Sequence, residues 1–380
     1  MNNQHKSYKR FPAVFLTGVT GFVGGAFLAY LLESSFAGEV TCLVRADDQE
    51  AGEDRVRRSI ARFGWRSSGT SKLPSNVKVL RGDLLSEDWH SAPELDNVTH
   101  VLHLAASTSF GNHPGIPRTN VVGALSVAKA MHGRPLDRYI HTGTATICGG
   151  DPPNVVHEDD YPSKSATHLL AYTRSKAEAE RQLLERYSDL PIVFARPSIV
   201  VGDTRFGCKP SGSIFWVLRA FVVLKFIAWD PKNRVDVVPV DWAAAALSRL
   251  LFAPSLEHNR YHVSAGTGSS ITWDQVSIEY ARICGGPSSD GYEKGDISQL
   301  TSQRVKQAIG HGHARHLLHA LELYSRFCSL DLVFDNSRIL AAGVPAPPRF
   351  TDYMHVCLGS STASIYEQMR VDLEPTAVVA

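Results

Sequence analysis

The stretch Phe15–Gly25, FLTGVTGFVGG, joins a run of apolar, β-branched residues to a run of helix formers through Gly18, Gly21 and Gly24. Upstream, Ala13–Thr17 has the composition of a buried strand. Downstream, Phe22–Glu33 places Phe27, Leu28, Leu31 and Leu32 on one helical face. Glycines at such a junction allow a tight turn and let the backbone come close to a pyrophosphate. The helix behind them offers unpaired N–H groups and the positive end of its dipole to the same anion. The glycine spacing alone also suits an ordinary turn with close helix–sheet packing. Its place between strand and helix favours the nucleotide reading, with Thr20, Phe22 and Val23 joining the glycines in the loop.

Further strands are expected at Val40–Val44, Val77–Leu80, His100–Leu104, Arg138–Thr142 and Pro191–Ala195, with helical stretches between them. That alternation predicts βαβ units and an α/β fold, a doubly wound parallel (Rossmann) sheet covered on both faces. Asp236–Val240 reads as a later strand. Beyond Gly202 the pattern loosens into helices and loops rich in Gly, Ser and Pro. The division expected is a disordered tail over 1–10, a dinucleotide-binding domain over 11–205, and over 206–380 a smaller, mostly helical substrate lobe with segments returning to the sheet. The last residues are expected to fray.

Composition narrows the function classes. The 380 residues carry a formal net charge of +1, which gives no bulk attraction to nucleic acid. Six scattered cysteines form no C-x-x-C pair, so no zinc site is expected, and reduced thiols point to the cytoplasm. His103, His113 and His141 lack ligand spacing and read as structural groups. The N-terminus has no apolar core of a secretory signal. The longest apolar run, Phe215–Trp229, is broken by Arg219 and Lys225 and is too short for a membrane span. Such a stretch fits a core helix of the lobe. It also fits one wall of an apolar channel whose cations face solvent or an acidic carrier. No Gly-x-Ser-x-Gly elbow is present.

The end of the second strand bears on the cofactor. An acidic residue about twenty positions beyond the loop would meet a free ribose 2′-OH. Here stands Arg45, in CLVRADD, whose guanidinium suits a 2′-phosphate and therefore NADP. A solvated arginine partly neutralised by Asp47 and Asp48 is the alternative. Asp83, followed by Leu84, either accepts from an adenine amino group or caps a turn. Ala105, Ala106 and Ser107 leave room for a ribose and equally suit plain packing.

AYTRSKAEAE contains Tyr172 and Lys176, four residues apart and so on one helical face. An ammonium beside a phenol favours the phenolate and makes the tyrosine a usable acid or base. Upstream, Thr142, Thr144 and Thr146 close the fifth strand, where a hydroxyl can support a carbonyl oxygen as charge develops on it.

Taken in order, TGVTGFVGG, GDL at Gly82–Leu84, HLAA at His103–Ala106, TNVVGA at Thr119–Ala124, HTGTATICGG and YTRSK resemble the extended short-chain dehydrogenase/reductase family over about 13–205. The resemblance implies Thr144, Tyr172 and Lys176 as catalytic hydroxyl, proton donor and lysine. It places Asn120 on the family's helix asparagine, either catalytic or holding local backbone. CLVRADD with Arg55, RPSIVVGDTRFG at Arg196–Gly207 and VDVVPVDWAAAAL at Val235–Leu247 are most similar to the thioester-reductase and fatty-acyl-reductase (male-sterility-type) branch. GNHPGIPRTN and Cys148 depart from that branch. The resemblance implies NADPH-dependent reduction of an acyl thioester to aldehyde or alcohol. With no recognisable adenylation or carrier module in the chain, the acyl group is expected on coenzyme A or a separate carrier protein. A ketone or alcohol oxidoreductase, a nucleotide-sugar epimerase or dehydratase, and a non-catalytic NADP sensor are the rivals. Arg45 speaks against the second and the intact hydroxyl, tyrosine and lysine against the third.

Overall fold

Residues 11–66, 72–110, 113–150 and 152–373 are described by a computed structural model. The expected tail over 1–10 and the final residues 374–380 lie outside them. Seven strands form one parallel sheet: β1 Ala13–Thr17, β2 Glu39–Val44, β3 Val77–Arg81, β4 His100–His103, β5 Arg138–Thr142, β6 Ile192–Pro197 and β7 Arg260–Val263. Their spatial order is β7-β6-β5-β4-β1-β2-β3, with every neighbouring pair parallel. The order runs outward both ways from the β1–β4 junction. A doubly wound sheet leaves its ligand crevice there, at the carboxyl ends of the strands.

Alternate residues of each strand enter different cores. Leu16, Cys42, Leu102 and Ile140 join α1 (Phe22–Glu33) and α2 (Gln49–Ala61) on one face. Phe15, Leu43, Val101 and Tyr139 join α3 (Gly123–Met131) and α4 (Ala171–Arg186) on the other. Burial on both faces explains why these strands read as continuous apolar runs.

After β6 the chain builds α5 (Phe215–Leu224) in the lobe, then returns through α6 (Val240–Phe252), which packs against α1 in the first core. It runs into β7 and leaves again through α7 (Trp273–Cys284), α8 (Ser302–Ile309), α9 (Ala314–Cys328), α10 (Phe350–Ser360) and α11 (Ile365–Leu373). Trp216, Phe221, Leu317, Tyr324, Phe350 and Met354 centre a separate lobe core.

One expectation needs correction. Asp236–Val240 is not a strand of the main sheet. Within it, only Val237–Val238 pairs, with Ile199–Val200 in a two-residue ladder. Pro239, which has no N–H to give a ladder, then precedes the helix that starts at Val240. The strand that does extend the sheet is β7, whose short sequence RYHV carries too little apolar signal to stand out. In the apolar run Phe215–Trp229, helix α5 stops at Leu224, and Lys225 takes a left-handed conformation with φ +49°. Seven of its ten residues are buried, so it is a core helix. Arg219 Nη1 donates to Ser361 Oγ, the Ala363 carbonyl and Gln368 Oε1 at 3.0, 2.8 and 3.1 Å.

Candidate active site

The glycine loop is built by backbone contact. Gly18 has φ +79°, and a Cβ there would lie 2.6 Å from the Ala105 nitrogen. A Cβ on Gly24 would lie 2.1 Å from the Gly18 carbonyl oxygen. Both positions therefore require glycine. Gly21 precedes α1 without any side-chain cap, and the first turn of the helix has no acidic residue. Its leading N–H groups keep their capacity for an anion, so this cradle fits a pyrophosphate. Thr20 and Gly21 turn their carbonyls away from it, accepting from Arg62 Nη2 at 3.0 and 3.4 Å. Phe22 stacks on Phe63 with centroids 6.0 Å apart, and Val23 packs into the first core. Their side chains serve packing, which leaves their backbone for a ligand.

Arg45 lies half-buried at the end of β2. Its carbonyl accepts from Arg55 Nη1 at 2.5 Å, which brings a second guanidinium beside it. Burial and the Arg45 charge both hold the Arg55 pKa below its ordinary value. Asp48 caps α2 through the Ala51 N–H at 2.8 Å. One Asp83 carboxylate oxygen takes the Leu85 N–H at 2.8 Å, a turn-capping role. Leu84 is buried in the third core, against Gly123, where a Cβ would meet it at 2.4 Å. Ala105 donates its N–H to Thr17 Oγ1 at 3.2 Å, directly across from Gly18.

Thr144, Tyr172 and Lys176 come together at the mouth of β5. Thr144 is buried, with its Oγ1 2.9 Å from Thr146 Oγ1. Tyr172, half-buried in the first turn of α4, lies beside Thr144, whose hydroxyl favours the phenolate. Lys176 is only 4% exposed and its Nζ donates to the Thr142 carbonyl at 2.7 Å. Burial pushes the Tyr172 phenol up to about 12, against the pull of Thr144. Burial also lowers Lys176 to about 8. The expected depression of the phenol by Lys176 is therefore corrected. The ammonium is spent on a backbone carbonyl, and desolvation of the phenolate outweighs the hydroxyl that favours it.

Asn120 holds backbone. Its Oδ1 accepts the Ser107 N–H at 2.7 Å, while its Nδ2 donates to the Ser107 carbonyl at 3.0 Å and to Ser175 Oγ at 2.9 Å. It sits in a π-helical turn, Arg118–Val122, that runs directly into α3. The Pro-rich GNHPGIPRTN does not prevent a helical approach, because Pro114 and Pro117 fall at or before the first turn, where no N–H is needed.

Two residues escaped the sequence reading. Glu180, one turn beyond Lys176, receives Arg196 Nη2 at 2.7 Å, and both side chains are fully buried. Arg196 Nη1 also donates to the Glu158 carbonyl at 2.8 Å. Gly143 must be glycine, since a Cβ would lie 2.2 Å from Glu180 Oε1. The four-residue step from Lys176 to Glu180 was readable as a helical neighbour. Its arginine partner on another strand was not. Among the histidines, His103 bonds Thr17 Oγ1 through Nδ1 at 2.7 Å, and desolvation lowers it to about 3. His141, against the expectation of a satisfied group, is buried with both ring nitrogens unpaired. No metal-binding cluster occurs among the described residues. No helix among them is long and apolar enough to cross a membrane.

Residues 16–247 match the family model described as male sterility protein, of the NAD-binding group. The chain is 29% identical over 313 residues to the non-canonical nonribosomal peptide synthetase FrzA of a Cladobotryum species, covering 78% of this chain and 30% of that one. It is 28% identical to the aldehyde reductase lnbA of Aspergillus flavus, covering 66% of this chain and 26% of that one. The chain thus spans less than a third of these curated relatives. In fold it is similar to the terminal R domain from the myxalamid PKS-NRPS biosynthetic pathway, with a TM-score of 0.73 at 20% identity, covering 93% of this chain and 91% of that one. With its glycine cradle, parallel sheet and Thr–Tyr–Lys cluster within the matched span, the chain belongs to the male sterility protein family of NAD-binding domains.

Proposed function

We propose that the chain reduces an acyl thioester, held on coenzyme A or a carrier protein, to an aldehyde or onward to an alcohol, with NADPH as reductant. The observation that carries this reading is the meeting of Thr144 and Tyr172 hydroxyls at the mouth of β5, with Lys176 buried behind them. When bound, the reduced nicotinamide would supply a hydride to the carbonyl carbon. Thr144 and Tyr172 would hold the carbonyl oxygen, and Tyr172 would give it a proton, leaving a hemithioacetal. Its collapse breaks the C–S bond and returns the hydroxyl proton, so that aldehyde and thiol are the products. Lys176 would hold the ribose and restore the proton of Tyr172.

Arg45 supports NADPH over NADH, with Arg55 beside it. The cradle at Gly18, Gly21 and Gly24 would take the pyrophosphate through the N–H groups of Phe22 and Val23. Thr20, Asp83, Leu84 and Ala105 would border the nucleotide. The named peptide synthetases among the relatives support a carrier protein as partner. The unpaired thiols agree with a cytoplasmic setting.

The test is NADPH oxidation by the purified protein with acyl-coenzyme A thioesters, acyl-loaded carrier protein, aldehydes and ketones. Tyr172→Phe should lower turnover about a hundredfold or more and leave NADPH affinity nearly unchanged. Turnover should decline above about pH 8, as Lys176 loses its proton. No activity on any thioester beside efficient reduction of a small polar ketone would overturn the reading.

A further inference from the structure

The loop after β4 carries Phe110, which no part of the proposed chemistry uses. Its ring stacks on Tyr172 with centroids 6.3 Å apart and planes at 26°. It also stacks on Tyr324 of α9 at 4.6 Å and 18°, and leans on Phe327 at 5.5 Å and 40°. Trp216 of α5 meets Tyr324 edge-on at 5.3 Å. Tyr324 is buried, whereas Phe110, Phe327 and Tyr172 each keep part of their surface open. It is the ring of Tyr172 that meets Phe110. An aromatic ledge thus stands next to the place where a carbonyl must dock.

The ledge is fixed from several directions. Ser109 Oγ donates to the Leu373 carbonyl at 3.1 Å. The Asp372 carboxylate accepts from Trp216 Nε1 at 3.0 Å and from Tyr324 Oη at 2.5 Å. Segments distant in the chain therefore hold rings in set planes rather than filling volume alone. Among the described residues, no cation–aromatic contact involves Phe110, Tyr324 or Phe327. Such a surface favours a flat, uncharged π-system, since ring pairs gain more than the area they bury. A saturated chain gains the area alone and gives up more torsional freedom.

We propose that Phe110 is a specificity-determining residue: its ring, with Phe327, receives an aromatic or conjugated segment of the acyl group next to the reacting carbonyl. This rests on the thioester-reductase reading. Aryl acyl groups are then reduced in preference to saturated ones of equal carbon count.

The experiment compares benzoyl- with heptanoyl-coenzyme A, and benzaldehyde with heptanal, in wild type, Phe110→Leu, Phe110→Tyr and Phe327→Leu, reading kcat/KM. Wild type should prefer the aryl member of each pair. Phe110→Leu should lower that preference roughly two- to tenfold, the scale of one aromatic pair. Phe110→Tyr, which keeps a flat ring, should retain it. Phe327→Leu should lower it in the same direction, and decides the matter if Phe110→Leu fails to bind NADPH. An active enzyme that prefers the saturated member, or a preference equal in wild type and both leucine variants, overturns the proposal alone. An enzyme that reduces none of the four compounds, nor benzoyl- or heptanoyl-loaded carrier protein, overturns the reductase reading, and the proposal with it.

Discussion

At Gly24, a single added carbon would sit 2.1 Å from a backbone oxygen; at Gly359, in α10 of the lobe, it would meet nothing within 4 Å. Around the strand ends, residue identity is dictated atom by atom: backbone against backbone at Gly18 and Gly24, and a buried carboxylate against Gly143. In the lobe, an apolar core is joined by polar ties such as those of Asp372 and Arg219, and close approach of this kind is confined to a few positions such as Gly207, where a Cβ would lie 2.3 Å from the Val356 carbonyl oxygen. A region that must bring charged and reacting groups together tolerates few sequences. A region that encloses a substrate can be filled in many ways.

The largest expected effect lies in the strand-end region. Arg196→Met leaves Glu180 buried without its partner and should cost about 3–5 kcal/mol of unfolding free energy by chemical denaturation. Adding Glu180→Leu should recover most of that loss. A single variant as stable as wild type would show that the pair tolerates replacement as freely as the lobe does.

Gly24→Ala should follow. Overpacking of a close-packed site costs up to about 3 kcal/mol, here felt where a pyrophosphate would sit. NADPH binding should weaken about a hundredfold, measured by fluorescence titration. Unchanged affinity would mean that the loop can relax and that its contacts are less exacting than their distances imply.

Arg45→Ala should weaken NADPH by roughly 1.5–3 kcal/mol, as for hydrogen bonds to a charged group, and leave NADH unaffected. Equal wild-type affinities for the two cofactors would remove Arg45 from the 2′-phosphate. The smallest effect belongs to the lobe. Gly359→Ala, in a helix with open space, should stabilise the protein by about 0.5–1 kcal/mol without changing cofactor affinity. A destabilising result would reveal a constraint in the lobe that its open surroundings do not show.

Six strands of the sheet and the first helix were legible because each is a local pattern. Ala13–Thr17, Phe22–Glu33 and Arg138–Thr142 have the limits that apolar periodicity predicts, and four other strands differ from expectation by one or two residues at their ends. The proximity of Tyr172 and Lys176 was legible for the same reason, since a helix alone places residues four apart on one side. Their electrostatics were not. Burial sets the Tyr172 phenol up and the Lys176 amine down. Desolvation is a property of everything packed around a group, so no local motif reports it.

The sequence by itself therefore determined what short-range rules can carry: a βαβ order, a glycine turn before a helix, a hydroxyl at a strand end, and a tyrosine and lysine on one helical face. Only the tertiary structure decided which strand completes the sheet at β7, which arginine holds Glu180, and which ring lies over Tyr172. Those outcomes join residues far apart in the chain, such as Phe110 with Tyr324 and Trp216 with Asp372. Local periodicity extends only a few residues, whereas packing couples whatever the folded chain brings within van der Waals contact.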